Sequence, residues 1–310
     1  MIISASRRTD IPAFYSEWFF NRLREGHVLV RNPMNPRQIS RISLKPDVVD
    51  GIVFWTKNPA PMLKRLDELS GYPYYFQFTL NPYGKDVEPE VPSKSEVVLP
   101  AFRRLAERIG KERVLWRYDP ILFSKKYTED YHIRNFQLLA SKLAGFTELC
   151  TVSFLDFYRN TEQRLRPLGP VYPTPGQKME LMGRFAEIAR ESGMTLCACA
   201  EDIGFEKFGA RRACCVDGER LGRLGGYRLN VKKDRNQRPL CGCAESIDIG
   251  AYHTCAHGCL YCYANSSPAR ARNNYTAHDP QFPLLVGHVG DSETVRTPAQ
   301  HSCRDGQLCF

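Results

Sequence analysis

The chain has 310 residues, 43% of them hydrophobic and 25% charged, a balance that suits a globular protein with a large core and excludes a disordered or fibrous one. No apolar run approaches the roughly 20 residues needed to span a bilayer, and Met1 to Arg8 has no apolar stretch after a basic one, so we expect a cytoplasmic chain with no membrane partner. The net charge of +9 admits a polyanionic partner, nucleic acid included, without favouring one.

Short apolar runs with strand character lie at 2–6, 28–30, 51–55, 74–80, 114–116, 150–155 and 195–200. Between them, apolar residues three and four apart predict helices over 14–24, 61–69, 96–109, 128–143 and 175–191. The last has its own punctuation, with Thr174 as N-cap, Pro175 at the first helical position and Gly193 just beyond the end. Strands alternating with crossover helices predict an α/β fold. We expect a partial or complete (β/α) barrel of parallel strands over residues 1–200, followed by a Cys-rich cluster-binding segment at 201–265 and a partly irregular strap at 266–310. A doubly wound open sheet is the alternative.

Nearly every expected strand runs from apolar residues into a polar cluster. Arg7, Arg8 and Asp10 follow the first; Lys57, Arg117 with Asp119, Asp156 and Glu201 follow later ones. In a parallel barrel these ends meet on one face, where binding and catalytic residues gather. The four cations would hold anionic groups of a small-molecule ligand, and the four acids its hydroxyls or amines. Along Trp116-Arg117-Tyr118-Asp119-Pro120, alternation puts Arg117 and Asp119 on one side and Tyr118 on the other. An ion pair that merely ties two loops is the ordinary alternative.

All 12 cysteines lie from Cys150 onward. In a long chain expected in a reducing compartment, such clustering favours metal over a disulfide framework. Cys255, Cys259 and Cys262 have the spacing CxxxCxxC, with Gly258 able to turn the backbone tightly and Tyr261 before the third cysteine. Three thiolates on a short loop can hold three irons of a [4Fe-4S] cluster, leaving the fourth open to the amino and carboxylate groups of S-adenosylmethionine. Structural zinc prefers paired CxxC knuckles, although His253 or His257 could complete a Cys3His site.

The motif resembles that of the radical S-adenosylmethionine superfamily, CxxxCxΦC with an aromatic at Φ, which implies these three cysteines as cluster ligands and an external electron donor. We place Tyr261 and Asn265 beside the cofactor. The longer pattern resembles a mainly bacterial domain-of-unknown-function family, number eighteen forty-eight. It does so through ISASRRTDIPAFY at 3–15, VFWTKNP at 53–59, WRYDPI at 116–121 and CGCAESIDIGAYHTCAHGCLYCYAN at 241–265. That resemblance spans nearly the whole chain and implies a partial barrel with a cluster. Two departures stand out. The superfamily usually carries its cysteine loop after the first strand, whereas here it comes late, so the barrel is either permuted or served by an appended segment. No GGE-type stretch occurs either, since Leu224-Gly225-Gly226-Tyr227 lacks the acid.

Cys199, Cys215, Cys241 and Cys243 could hold an auxiliary iron-sulfur cluster or a zinc. Cys150, Cys197, Cys303 and Cys309 are expected to be ordinary small hydrophobes. The basic stretch from Arg220 to Arg238, Lys232 and Lys233 included, fits a solvated face better than a phosphate track.

Overall fold

The computed structural model describes residues 1–308, so Cys309 lies outside the described residues. Eight parallel strands build the central sheet. Their spatial order is Ile247–Asp248, Ile2–Ala5, Gly51–Thr56, Tyr74–Thr79, Val114–Ile121, Leu149–Phe154, Thr195–Ala198 and Arg211–Arg212. Seven of them follow chain order. Only Ile247–Asp248 returns from late in the chain, to lie parallel to Ile2–Ala5 with Ile3 opposite Ile247. The two short edge strands end the order, with no ladder between them among the described residues.

Period-two alternation divides the sheet between two cores. Ile3, Phe54, Phe76, Trp116 and Leu196 face the long helices and meet Trp18, Phe102, Phe136 and Phe185. Ile2, Val53, Tyr75, Leu115 and Cys197 face the other way, where Ala213, Val216, Leu221 and three cysteines cover them. Both faces are covered, which is why the strands are near-continuous apolar runs. Residues 201–265 thus supply both edge strands and much of the second core, and are built into the sheet rather than attached to it.

The helices over Ser16–Glu25, Leu99–Ile109, Glu129–Leu143 and Pro175–Glu191 occupy the expected stretches. Thr174 and Gln177 form a reciprocal capping box at the start of the last. Residues 61–69 instead form a 3₁₀ helix, Leu63–Leu69. The expected strand at 28–30 also lies elsewhere. His27–Arg31 pairs antiparallel with Gln38–Ser43, because the short connection allows a hairpin but no crossover. Thr294–Arg296 joins that small sheet, and Arg304–Leu308 pairs with Tyr227–Leu229, so the tail straps the surface. Gly225 and Gly226 only end the helix Gly218–Gly225. No described helix is long and apolar enough to cross a membrane.

Candidate functional site at the carboxyl ends of the strands

The strand ends converge on one cavity of about 640 Å³, within the range of small-molecule sites. Arg7, Arg8, Asp10, Lys57, Arg117, Asp119 and Asp156 all line it, as do Tyr261 and the seven cysteines Cys199, Cys215, Cys241, Cys243, Cys255, Cys259 and Cys262. Glu201 and Asn265 are not among the lining residues. Glu201 is buried, accepting from the Phe154 N–H at 2.9 Å, and Asn265 donates to the Cys255 carbonyl at 2.7 Å. Both hold backbone in place beside the cavity.

The cysteine loop is fastened from several directions. The Thr254 hydroxyl bonds Thr9 at 2.5 Å, and its carbonyl accepts from the Tyr15 hydroxyl at 2.7 Å. Arg164 donates to the carbonyls of Cys259 and Cys262 at 3.4 and 2.6 Å. Gly258 turns the chain at φ +67°, a left-handed conformation that favours glycine. Gly250 lets the approach to the loop pass close to Ser6, since a Cβ there would come within 2.1 Å of the Ser6 hydroxyl oxygen.

Charge beneath the loop is organised around two buried acids. Asp10 caps the short helix Ile11–Phe14 and accepts from the Lys57 N–H at 2.7 Å and from His257 Nε2 at 2.8 Å. Glu88 takes Lys57 at 2.7 Å and Lys94 at 2.6 Å, and also the Tyr261 hydroxyl. Burial opposes ionisation of Glu88, but the two ammonium groups overcome it and hold its carboxyl at about 2. The Lys57 ammonium is therefore engaged by protein. Burial pushes the Cys259 thiol up to about 12, with Lys57 pulling the other way.

Arg117 and Asp119 share the cavity side of their strand while Tyr118 points into the core, its hydroxyl on His132 at 2.8 Å. They form an ion pair, Ser153 donates to Asp119, and Asp119–Pro120 is a cis bond. Arg117 Nη1 also donates to the Cys215 sulfur at 2.8 Å. Two guanidiniums lie over the Trp55 ring, that of Arg7 at 5.5 Å and that of Arg117 at 5.1 Å from its centre. Asp156 pairs with Arg238 at 2.5 Å on the rim. Trp55 Nε1 and His257 Nδ1 are buried in the cavity wall with no protein partner, so a guest could use both.

Sequence reasoning missed Trp55, Tyr158, Asp248 and Tyr263, all in the wall. Asp248 accepts from the Ser6 hydroxyl at 2.5 Å and the Arg7 N–H at 2.8 Å. It too follows an apolar residue at a strand end, but a two-residue strand leaves no periodic signal. Arg238 belongs to the basic stretch yet reaches the rim, whereas Lys232 and Lys233 do not line the cavity. Arg220 is buried, donating to the Glu112 carbonyl at 2.6 Å, so the stretch is not one solvated face.

Fold and site together define an α/β protein whose parallel central sheet delivers a polar, cysteine-rich cavity at its carboxyl edge. A family model described as a domain of unknown function (DUF1848) matches residues 2–264, and the chain belongs to that family. No curated protein matches it.

Proposed function

We propose that the protein is an iron-sulfur enzyme of the radical S-adenosylmethionine type, with Cys255, Cys259 and Cys262 as ligands of a [4Fe-4S] cluster. The observation that carries this reading is where the cysteine loop begins. It leaves the carboxyl end of Ile247–Asp248, which is late in the chain but first in space, beside Ile2–Ala5. The loop-after-first-strand arrangement of the superfamily is then kept in space and permuted in sequence. Consecutive strand order with the long helices on one face also suits the wall of a partial barrel. A doubly wound sheet would reverse its order at a switch point and carry helices on both faces.

The donor set fits the cluster. Three thiols come from one turn, the loop itself carries no carboxylate, and Lys57 and Arg164 offset the charge that thiolates would bring. When bound, the cluster would supply an electron to the sulfonium of S-adenosylmethionine held at its open iron, from an external donor. Arg164 fixes the loop carbonyls, and the Tyr261 to Glu88 bond fixes the aromatic residue of the motif. Arg7 and Arg117, with the free Trp55 N–H, offer donors to an anionic or acceptor-rich small-molecule substrate.

Iron and sulfide are to be counted on anaerobically purified protein, followed by EPR of the reduced protein with and without S-adenosylmethionine. Added S-adenosylmethionine should change the signal. Cys259→Ala should lose the triplet's iron while keeping its far-UV helix signal. Arg117→Ala should weaken substrate turnover while sparing S-adenosylmethionine cleavage. Full iron and full cleavage in Cys259→Ala would overturn the assignment, and zinc in place of iron in the wild type would do the same.

A further inference from the structure

We propose that Cys199, Cys215, Cys241 and Cys243 form a second thiolate site, which takes an iron-sulfur cluster facing the same cavity. The four come from separate places. Cys199 follows the strand Thr195–Ala198, Cys215 follows the edge strand Arg211–Arg212, and Cys241 and Cys243 lie on the loop before Ile247–Asp248. Yet the sulfurs of Cys199 and Cys215 lie 3.8 Å apart, and Cys243 contacts both Cys215 and Cys241. All four line the cavity, and none is in a disulfide.

Nearby cysteines show what the ordinary alternative looks like. Cys150 and Cys197 are buried within strands among apolar neighbours and do not line the cavity. Cys214 turns away from its neighbour Cys215 and spends its S–H on the carbonyls of Val216 and Gly242, at 3.0 and 2.9 Å. Two of the four instead attract donors to sulfur. Arg117 Nη1 reaches Cys215 at 2.8 Å and the Val216 N–H reaches Cys243 at 3.4 Å, with the Arg7 guanidinium nearby. Packed neutral thiols have no need of a buried guanidinium. Thiolates that carry the negative charge of a metal centre do, and N–H donors to their sulfurs tune such centres.

One feature favours a cluster over a structural ion. Structural zinc is sealed by four ligands around one point, but these four sulfurs line a cavity wall in a chain of contacts, from Cys199 through Cys215 and Cys243 to Cys241. A cluster presents several irons at separate corners, so its ligands need not converge on one point.

This site stands whether or not the triplet holds its own cluster, and the test separates the two. Full-length protein with Cys255, Cys259 and Cys262 all changed to Ala is reconstituted anaerobically with ferrous iron and sulfide, and iron, sulfide and zinc are counted per chain. About half of the wild-type iron should remain, with matching sulfide. Cys241→Ser/Cys243→Ser with the triplet intact should lose the complementary half and keep the S-adenosylmethionine-dependent EPR change. Undiminished iron in the triple variant would sink the triplet assignment and leave this one standing. A triple variant without iron and sulfide, or with zinc alone, would overturn the second site, as would wild-type iron content in Cys241→Ser/Cys243→Ser.

Discussion

His132 is buried among the rings of Tyr83, Tyr118, Phe123 and Tyr131, with its two nitrogens on the Tyr118 hydroxyl at 2.8 Å and the Leu122 carbonyl at 2.9 Å. Burial drives its pKa down to about 4, against the opposing pull of the Leu122 carbonyl. The folded protein therefore keeps it neutral where the unfolded chain, near 6.5, takes up a proton. Its contribution is complete above the unfolded value and is lost as pH falls from there towards 4. That amounts to about 2 kcal/mol between pH 7 and pH 5. In His132→Phe this slope should vanish although overall stability is lower, because the Tyr118 hydroxyl and the Leu122 carbonyl lose their partner. Denaturant unfolding at pH 7, 6 and 5 measures it. Parallel curves for wild type and variant would contradict it.

At the scale of elements, the helix Pro175–Glu191 shows how local chemistry sets a boundary. Thr174 accepts from the Gln177 N–H at 3.2 Å while the Gln177 side chain accepts from the Thr174 N–H at 2.9 Å. Thr174→Ala removes one half of that exchange and should cost about 1 kcal/mol, whereas Thr174→Ser should cost almost nothing. Equal melting temperatures for the alanine variant and the wild type would show that the cap is replaced by water. This helix was legible in the sequence because cap, proline, period and terminal glycine all agree. The residues at 28–30 were legible as a strand but not as part of a hairpin, since partner and direction depend on the length of the connection to Gln38. The edge strand Ile247–Asp248 carried no pattern at all, because two residues complete one period and repeat nothing.

For the molecule as a whole, the end of the sheet away from the cavity is held by Asp50, just before Gly51–Thr56. Its fully buried carboxylate accepts from the Met1 amine, from the Ser302 hydroxyl at 2.5 Å, from the Cys303 N–H at 2.7 Å and from Arg304 at 3.2 Å. One acid thus joins the first residue of the chain to the strap. Asp50→Ala should destabilise the fold by about 2 to 3 kcal/mol, less than a sealed ion pair would lose because Arg304 is a third exposed. It should also hasten proteolysis within 290–308, and because Asp50 sits at the amino end of its strand, iron content should not change. Loss of iron in that variant would mean that the strap and the cavity are coupled.

The residues alone determined much of this protein. Period and punctuation placed the strands and long helices, polar residues after apolar runs marked Arg7, Asp10, Lys57, Arg117, Asp119 and Asp156, and spacing singled out Cys255, Cys259 and Cys262. These are local signals, set by backbone geometry within a few residues. What only the tertiary structure decided depends on contacts between distant parts of the chain. Ile247–Asp248 brings the cysteine loop beside Arg7 across some 240 residues because a parallel ladder needs no sequence proximity. Cys199, Cys215 and Cys243 meet because the segment carrying two of them covers the second face of the sheet. Glu201, which follows a strand as the others do, turns instead to the Phe154 N–H. A buried N–H must find an acceptor, and which side chain supplies it depends on packing that no single stretch of sequence records.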